Sequence, residues 1–384
     1  MRIGLVVPHI FMQDAILPEV IFAPADLAIS LAEGIQNQGH EVVLFTPGKV
    51  TARVQNITAD LSLFEAELKT RGDSYISLLR KHAFTFVTLA RQVQSELIAK
   101  AMKIANDGEL DILHVYTNEE DTALPFAQLC AKPVVFTHHD PLNFLVKYKS
   151  LFPKYAHYNW ISISLSQRQQ MPRGTNWIAN IYHGLPLDQY HPVYGGQENY
   201  VAFLGRIIST KGVHLAIEAV NQYNKKSNGN LKLKIAGKHY SDYQKDSYWR
   251  ERIEPALNQD NIEYVGYLKS TEEKQEFLGR ARALIIPSLF DEPFGLVMIE
   301  ALATATPVIG LRSGAIPEVI IDNQTGIIVD KSKSEQGTIR NFALAIEKIS
   351  QIDRMACRAD FERRFTSRRM AAEYIKAYEK VLIK

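Results

Sequence analysis

Residues 283–311, "ALIIPSLFDEPFGLVMIEALATATPVIGL", contain an apolar strand, a turn, a helical stretch and a second apolar strand in direct succession. The predicted strands are "ALIIPS" and "PVIGL", and the predicted helix begins at about Leu296, after the turn that Pro293 and Gly295 impose. A helix between two short apolar strands is typical of a parallel βαβ unit. The rest of the chain repeats this alternation, which predicts an α/β protein built on parallel sheets.

The alternation falls into two series, with a stretch rich in proline and glycine between them. The first series contains "RIGLVV", "EVVLFT", "LDILHVY", "KPVVFTHH" and "WISISL"; the second contains "YVAFLGR", "LKLKIAG", "IEYVGYL", "ALIIPS", "PVIGL" and "GIIVD". Residues 184–200 lack either periodicity and are interpreted as a linker. We therefore predict two doubly wound, Rossmann-like domains that face each other across a cleft, residues 1–187 and 198–367, with ligands at the carboxyl ends of the strands.

A long, mostly helical stretch is predicted between residues 60 and 106. Its apolar positions fit an amphipathic pattern: Ile76, Leu79, Phe84, Phe86, Leu89, Val93, Leu97 and Ile98. We interpret it as helix that lines one side of a sheet. A surface for an acceptor or a membrane is the alternative.

Composition favours a protein that acts on small molecules. The chain has 384 residues, of which 46% are hydrophobic, and its 44 basic and 42 acidic residues leave a formal net charge of +2. That balance argues against a nucleic-acid partner. The two cysteines, Cys130 and Cys357, are far apart, which argues against a disulfide framework and a structural zinc site. The sequence shows no signal peptide and no membrane-spanning segment, so we expect a cytoplasmic protein, or one at a membrane surface.

Two cations follow the first strand of the second series. In "LGRIISTKG", Arg206 and Lys211 lie in a strand-to-helix loop with four residues between them. A guanidinium can bind two phosphate oxygens side by side, and an ammonium adds a mobile charge, so the pair suits a diphosphate without a metal ion. A pair of solvated surface cations is the alternative. The helix predicted to start at Leu296 favours the diphosphate, because a helix N-terminus binds anions.

Two glutamates flank that helix start. Glu292 lies in the loop before it, and Glu300 lies one turn beyond Leu296 on the same helical face. A carboxylate there can accept hydrogen bonds from vicinal hydroxyls, on a ribose for Glu300 and on a sugar for Glu292. The alternative for an isolated pair of glutamates is a solvated face.

The segments "GRIISTKG", "EPFGLVMIEALATATPVI", "SGAIPEVI" and "QTGIIV" together resemble the nucleotide-sugar half of family-4 retaining glycosyltransferases of the GT-B fold. Weaker similarity extends over nearly the whole chain. The resemblance implies that Arg206 and Lys211 hold the donor diphosphate, Glu300 the ribose, and Glu292 the transferred sugar. It further implies that the last helix, residues 368–384, crosses back to the N-terminal domain. The remaining donor-binding positions that it implies are Gly205, Phe294, Gly295, Leu296 and Val297.

The resemblance also assigns His139, in "FTHHD", to a position near the anomeric carbon, whereas the family usually has an apolar residue at His138. Without the family, His139 reads as a structural histidine at a strand end. The chain departs from the family at residues 18–28, "PEVIFAPADLA", where many relatives carry a Gly-Gly pair. Ala305 and Ala315 also replace turn glycines, which we expect a slightly different backbone to accommodate.

These residues predict a metal-independent hexosyltransferase without a cofactor. It would move a hexose, with glucose from UDP-glucose as the first choice, to a hydroxyl on a sugar, glycolipid or small metabolite, with retention at the anomeric carbon. One alternative is a sugar-nucleotide epimerase or a phosphorolytic enzyme on the same scaffold. Another is a non-catalytic protein that binds nucleotide sugars.

The tail from Arg354 to Lys384 holds nine basic and four acidic residues. Its apolar positions predict a packed terminal helix: Tyr374, Ile375, Tyr378, Val381 and Leu382. We expect its basic face to be solvated. Peripheral contact with a membrane is the alternative.

Overall fold

The computed structural model describes residues 1–20, 22–116, 118, 120–142, 145–239 and 246–383. The chain divides into two compact units. Unit 1 comprises Met1–His183 and Ser367–Lys384, and unit 2 comprises Gly184–Thr366. Ile21, within the departure from the family at residues 18–28, and Lys384, at the end of the predicted terminal helix, lie outside the described residues.

Unit 1 is built on a parallel sheet of seven strands. The strands are Arg2–Val6 (β1), Glu41–Thr46 (β2), Gln55–Thr58 (β3), Ile112–Tyr116 (β4), Val134–Thr137 (β5), Asn159–Ser162 (β6) and Trp177–Asn180 (β7). Their order is β3-β2-β1-β4-β5-β6-β7, so the direction of winding reverses between β1 and β4. The strands of the first predicted series are all present, and β3 and β7 are two further strands at the edges.

The helices of unit 1 cover this sheet. They are Pro24–Gln36 (α1), Ser62–Arg71 (α2), Tyr75–Lys81 (α3), Ala83–Asn106 (α4), Val146–Leu151 (α5) and Leu165–Arg168 (α6). The apolar face of α1 is buried, and most apolar side chains of α4 belong to the core. Phe84 is an exception, because it lies at the start of α4 and is 86% exposed. Its assignment to the buried face of the helix is wrong.

Unit 2 is built on a second parallel sheet, of six strands in the order β10-β9-β8-β11-β12-β13. The strands are Tyr200–Leu204 (β8), Lys232–Ala236 (β9), Ile262–Gly266 (β10), Ala283–Ile286 (β11), Val308–Leu311 (β12) and Gly326–Val329 (β13). The helices are Val213–Ser227 (α7), Thr271–Gly279 (α8), Leu296–Ala303 (α9), Ile316–Val319 (α10), Glu335–Lys348 (α11) and Arg354–Arg364 (α12). All six strands of the second predicted series are present, and the helix after the Pro-Phe-Gly turn begins at Leu296. The α/β, doubly wound fold is confirmed.

The last helix, Ser367–Leu382 (α13), belongs to unit 1. It packs against α1 at Gly34, where a methyl group added to the glycine would lie 3.0 Å from Cβ of Ala371. Tyr374, Tyr378 and Met370 are fully buried on its inner face. The helix therefore follows unit 2 in sequence and completes the core of unit 1.

Several basic residues of the tail do not form the solvated face that was expected for it. Four arginines of α12 and α13 donate hydrogen bonds to backbone carbonyls elsewhere in the unit to which each belongs. They are Arg354, Arg358, Arg364 and Arg369. Arg354 alone reaches three carbonyls at 2.8 to 3.0 Å. A guanidinium has five donors and suits such bridging. The expectation is therefore wrong for these four residues, whereas Arg363 and Arg368 are exposed.

Candidate active site

Two loops meet at the centre of the sheet in unit 2. One follows β8 and the other follows β11, and these strands are neighbours at the point where the direction of winding reverses. The loops are joined by a hydrogen bond of 2.8 Å from the Leu289 N–H to the Thr210 carbonyl. Gly212 adopts a φ of 71°, and a Cβ there would lie 2.2 Å from the Pro287 carbonyl oxygen. Only glycine permits this approach, which brings Lys211 beside the segment that carries Glu292.

Lys211 and Glu292 form an ion pair between these loops. The Lys211 ammonium donates to Oε1 of Glu292, and the side chains are 19% and 9% exposed. The hydroxyl of Ser288, which is fully buried, donates to the same oxygen at 2.9 Å. The ammonium also lies 5.0 Å from the centre of the Phe290 ring. One oxygen of the carboxylate is therefore held by an ammonium and a hydroxyl.

The backbone around Glu292 is fixed by the turn before α10. The Ala315 N–H donates to the Glu292 carbonyl at 2.8 Å, and the Gly314 N–H donates to Oδ1 of Asp291 at 3.1 Å. Gly314 has a φ of 53°, and a Cβ there would lie 2.3 Å from the Glu292 nitrogen. The loop cannot shift without disturbing this contact, so Glu292 is held rigidly in both backbone and side chain.

Arg206 lies in the same loop as Lys211 but is exposed. Within the described ranges, its side chain makes no hydrogen bond or ion pair with another residue. The loop is anchored on either side of Arg206. The Gly205 N–H donates to the Ala236 carbonyl at 3.0 Å, and the Ile207 N–H donates to the Lys238 carbonyl at 2.9 Å. The structure thus places an exposed guanidinium on an anchored loop.

The start of α9 follows directly on the loop that carries Glu292. Its N-cap is Gly295, with a φ of 89°, no side chain caps the helix, and no acidic residue occupies the first turn. The N–H groups of the first turn, at Leu296 and Val297, have no partner inside a helix. Phe294 is buried, so only its backbone can face a ligand. The local charge at this helix start is positive.

Glu300 lies in the second turn of α9 and is 8% exposed. Its Oε1 accepts a hydrogen bond from the Tyr190 hydroxyl at 3.1 Å and one from the Lys274 ammonium at 3.0 Å. The sequence analysis missed both partners, and it missed Ser288 beside Glu292. No local pattern marks them, because Tyr190 and Lys274 are far from Glu300 in sequence.

His139 lies in unit 1, just after β5, and is 9% exposed. Its ring stacks on that of His183, with 4.8 Å between centroids and 22° between planes. The Tyr116 ring is nearly perpendicular to it, with 4.4 Å between the two centroids. Its Nε2 is buried without a hydrogen-bond partner in the described chain. Burial, with smaller effects of the neighbouring histidines, holds the pKa of His139 well below its usual range. His139 is therefore a neutral imidazole with an unused polar atom.

His138, by contrast, points into the core of unit 1. Its ring packs roughly perpendicular to the stacked rings of Tyr148 and Phe152, with centroid distances of 4.9 and 5.1 Å. His183, which sequence reasoning missed, is buried, and burial lowers its pKa to about 3.

The turn alanines behave in two ways. Ala315 has an ordinary φ of −81°, whereas Ala305 has a φ of 63° and is fully buried. Ala305 thus adopts the left-handed conformation that glycine takes readily, at a cost of about 1 kcal/mol. That the backbone differs slightly from that of the relatives stays a prediction.

Residues 192–359 match the family model of glycosyl transferases, group 1. An uncharacterized glycosyltransferase from Methanocaldococcus jannaschii is 31% identical over 139 residues, which cover 36% of this chain and 35% of that protein. The match thus spans about a third of that curated relative.

Two solved structures share the fold over the whole chain. Sucrose-phosphate synthase from Thermosynechococcus elongatus has a TM-score of 0.73 at 18% identity, with 100% of this chain and 99% of that chain covered. HepE from Anabaena in complex with UDP has a TM-score of 0.69 at 14% identity, with 99% and 100% covered. The predicted resemblance to GT-B glycosyltransferases is confirmed.

The part of the chain that the structure describes contains no group of three or more His, Cys, Asp or Glu side chains that could hold a metal ion. Within the same ranges, none of the helices combines the length and the apolar character that a membrane-crossing helix needs.

Proposed function

We propose that this chain, whose residues 192–359 match the group 1 glycosyl transferases, transfers a hexose from a nucleoside diphosphate sugar to an acceptor hydroxyl, with retention at the anomeric carbon. The observation that carries the proposal is the Lys211–Glu292 pair beside the uncapped start of α9. It joins a group that can bind phosphate to a group that can bind sugar hydroxyls. An isolated phosphate site would not need the carboxylate.

The positive charge of the site suits the leaving group. As the bond from the anomeric carbon to the diphosphate breaks, its electron pair stays on a phosphate oxygen. Arg206, Lys211 and the first-turn N–H groups of α9 would stabilise this charge by dipoles and cations already in place. Because these groups supply the compensating charge, we propose a reaction that requires no metal ion.

Retention follows if the acceptor attacks from the face that the diphosphate leaves. The acceptor oxygen then bonds to the anomeric carbon, and its proton passes to the departing phosphate oxygen. Glu292 is not the nucleophile in this scheme, since its Oε1 is already held by Lys211 and Ser288. The second oxygen, Oε2, would accept a hydrogen bond from a hydroxyl of the transferred hexose.

His139 would contribute from unit 1, as the family resemblance implies. A neutral imidazole with an unused Nε2 can exchange a hydrogen bond with a hydroxyl near the reacting carbon. Since burial keeps the pKa of His139 well below its usual range, the residue would not act as a cation at neutral pH.

UDP-glucose is the first choice of donor, followed by other uridine or guanosine diphosphate hexoses. HepE has been solved in complex with UDP-glucose as well as with UDP, which supports the choice. The acceptor would be a sugar, a glycolipid or a small metabolite, used in the cytoplasm or at a membrane surface.

The test is a screen of nucleoside diphosphate hexoses, read by release of the nucleoside diphosphate, followed by acceptor competition with the best donor. Glu292→Gln should lower turnover by roughly a hundredfold, as expected for loss of a charged contact that strengthens in the transition state. If the variant keeps both turnover and donor affinity, the assignment of Glu292 is wrong.

The same screen separates the alternatives. An epimerised nucleotide sugar, or a sugar phosphate formed with inorganic phosphate, would indicate an epimerase or a phosphorolytic enzyme. Binding of the donor without any product would indicate a sensor. The ion pair and the uncapped start of α9 suit the negative charge of a leaving diphosphate, which supports transfer.

A further inference from the structure

The two glutamates are held in the same way. Oε1 of Glu292 accepts from a hydroxyl, on Ser288, and from an ammonium, on Lys211. Oε1 of Glu300 also accepts from a hydroxyl, on Tyr190, and from an ammonium, on Lys274. Within the described residues, Oε2 of neither glutamate makes a hydrogen bond. Each carboxylate is thus fixed through one oxygen and keeps the other for a ligand.

Four elements converge to build the second of these arrangements. The Ser270 hydroxyl and the Glu273 side chain cap the start of α8, which places Lys274 in the second turn of that helix. The next residue, Gln275, accepts a hydrogen bond of 2.8 Å from the His191 N–H, which ties the loop beside Tyr190 to the same helix.

The far side of the loop is held by α12. Arg358 donates to the Tyr190 carbonyl at 2.8 Å and to the Ala303 carbonyl, at the end of α9, at 2.6 Å. Tyr190 is buried, so its hydroxyl cannot turn toward water instead. The loop, α8, α9 and α12 therefore fix both donors relative to Glu300.

We propose that Lys274 and Tyr190 are positioning residues that aim Oε2 of Glu300 at the two ribose hydroxyls of the nucleotide, and that they thereby set the preference for ribonucleotides. This inference rests on the proposed function, because it requires that a nucleoside diphosphate binds at α9. Lys274 and Tyr190 touch the protein rather than the ligand.

The chemistry favours a diol over a single hydroxyl. A carboxylate oxygen has two lone pairs, so one oxygen can accept from both vicinal hydroxyls. The orientation of the Glu300 carboxylate depends on its two donors, because a carboxylate that loses the hydrogen bonds from Tyr190 and Lys274 can rotate or bind water instead. A ligand without the diol leaves Oε2 of Glu300 without the two hydrogen bonds that a ribose supplies.

The experiment measures binding rather than turnover, by calorimetry, so it needs no acceptor. The probes are the tightest binder among UDP, GDP and ADP, and its 2′,3′-dideoxy analogue. Wild type should prefer the ribose form by about tenfold, which corresponds to a net gain of about 1.4 kcal/mol for the diol after its loss of hydrogen bonds to water. Lys274→Met and Tyr190→Phe should each weaken the ribose form about threefold and leave the dideoxy form unchanged. The double variant should bind both forms about equally.

The controls share the chemistry of the substitutions. Lys269→Met removes an exposed lysine just before α8, and Tyr194→Phe removes the hydroxyl of an exposed tyrosine four residues after Tyr190. Neither variant should change the preference for the ribose form. Lys274→Arg keeps a cation and should restore most of it. Urea unfolding of each variant identifies those that fail to fold, and Lys274→Arg then decides the question.

The outcomes separate the two levels of the proposal. Equal weakening of both nucleotides, an unchanged preference, or a stronger one would overturn the inference and leave the proposed function standing. Failure of wild type to bind any of the three nucleotides would overturn the proposed function, and the inference with it.

Discussion

The Lys211–Glu292 pair predicts that its two members contribute unequally to stability. Lys211→Met leaves the Glu292 carboxylate 9% exposed, with the Ser288 hydroxyl as its remaining side-chain hydrogen-bond donor among the described residues. Glu292 cannot move toward water, because Ala315 and Gly314 fix its backbone. Removing one partner of a fully buried pair costs about 3–5 kcal/mol, and the residual exposure of this pair lowers that cost to about 2–3 kcal/mol.

Glu292→Gln should cost less. The amide keeps an oxygen for Ser288, and the freed ammonium of Lys211 lies at the end of a flexible stem that is already 19% exposed, so it can reach water. We expect a loss of about 1 kcal/mol. The double variant removes both charges, so its cost should be close to that of Glu292→Gln and below that of Lys211→Met.

The assay is hydrogen exchange of the peptide that covers residues 283–311, combined with urea unfolding. The exchange reports on unit 2 directly, which matters because a chain of two units need not unfold in a single step. If Lys211→Met costs no more than Glu292→Gln, or if the double variant costs the sum of the two, the pair is not a coupled, buried interaction and Lys211 does not offset the charge of Glu292.

Three further predictions concern single residues. His183→Phe should reduce the acid sensitivity of unit 1. The pKa of His183 is about 3 in the folded state and about 6.5 in the unfolded state, so between pH 7 and pH 5 the unfolded state binds a proton that the folded state does not. This lowers the free energy of unfolding by about 2 kcal/mol over that range, a loss that urea unfolding of the variant should lack. Ala305→Gly should raise the urea midpoint, by about 0.5 kcal/mol in free energy of unfolding, because relief of the left-handed φ of 63° outweighs the added entropy of the unfolded chain; a lower midpoint would contradict this. Gly314→Ala should lower the free energy of unfolding by more than about 3 kcal/mol and lower donor affinity, because its Cβ would overlap the Glu292 backbone. The control is Gly108→Ala, with a φ of 85° and open space around it. It should cost only about 1 kcal/mol and leave donor binding intact.

The sequence predicted the sheets well where the strands lie at their centres. In the second series, β8, β11 and β12 are nearly continuous apolar runs, as strands buried on both faces must be. The two strands that were missed, "QNIT" and "WIAN", are β3 and β7, at the two edges of the seven-stranded sheet. An edge strand is covered on fewer sides, so its sequence carries less of the apolar signal.

The arginines of the tail show a second limit. A cluster of cations at helical spacing is compatible with a solvated face, and composition alone cannot separate that case from guanidinium groups that bridge carbonyls. The distinction depends on where the ends of other elements lie. Arg354 reaches carbonyls at residues 193, 279 and 281, which only the folded chain brings together.

The candidate site divides along the same line. The sequence predicted the turn, the start of α9 and the two glutamates, because these are local features of one βαβ unit. It did not predict that Ser288, Lys274 and Tyr190 hold those glutamates. A carboxylate that binds a hydroxyl must be both buried and charged, and burial of a charge requires donors from elsewhere in the fold. The same anchoring by one hydroxyl and one ammonium at Glu292 and Glu300 is therefore a physical requirement of the site, met by residues whose positions only the tertiary structure sets.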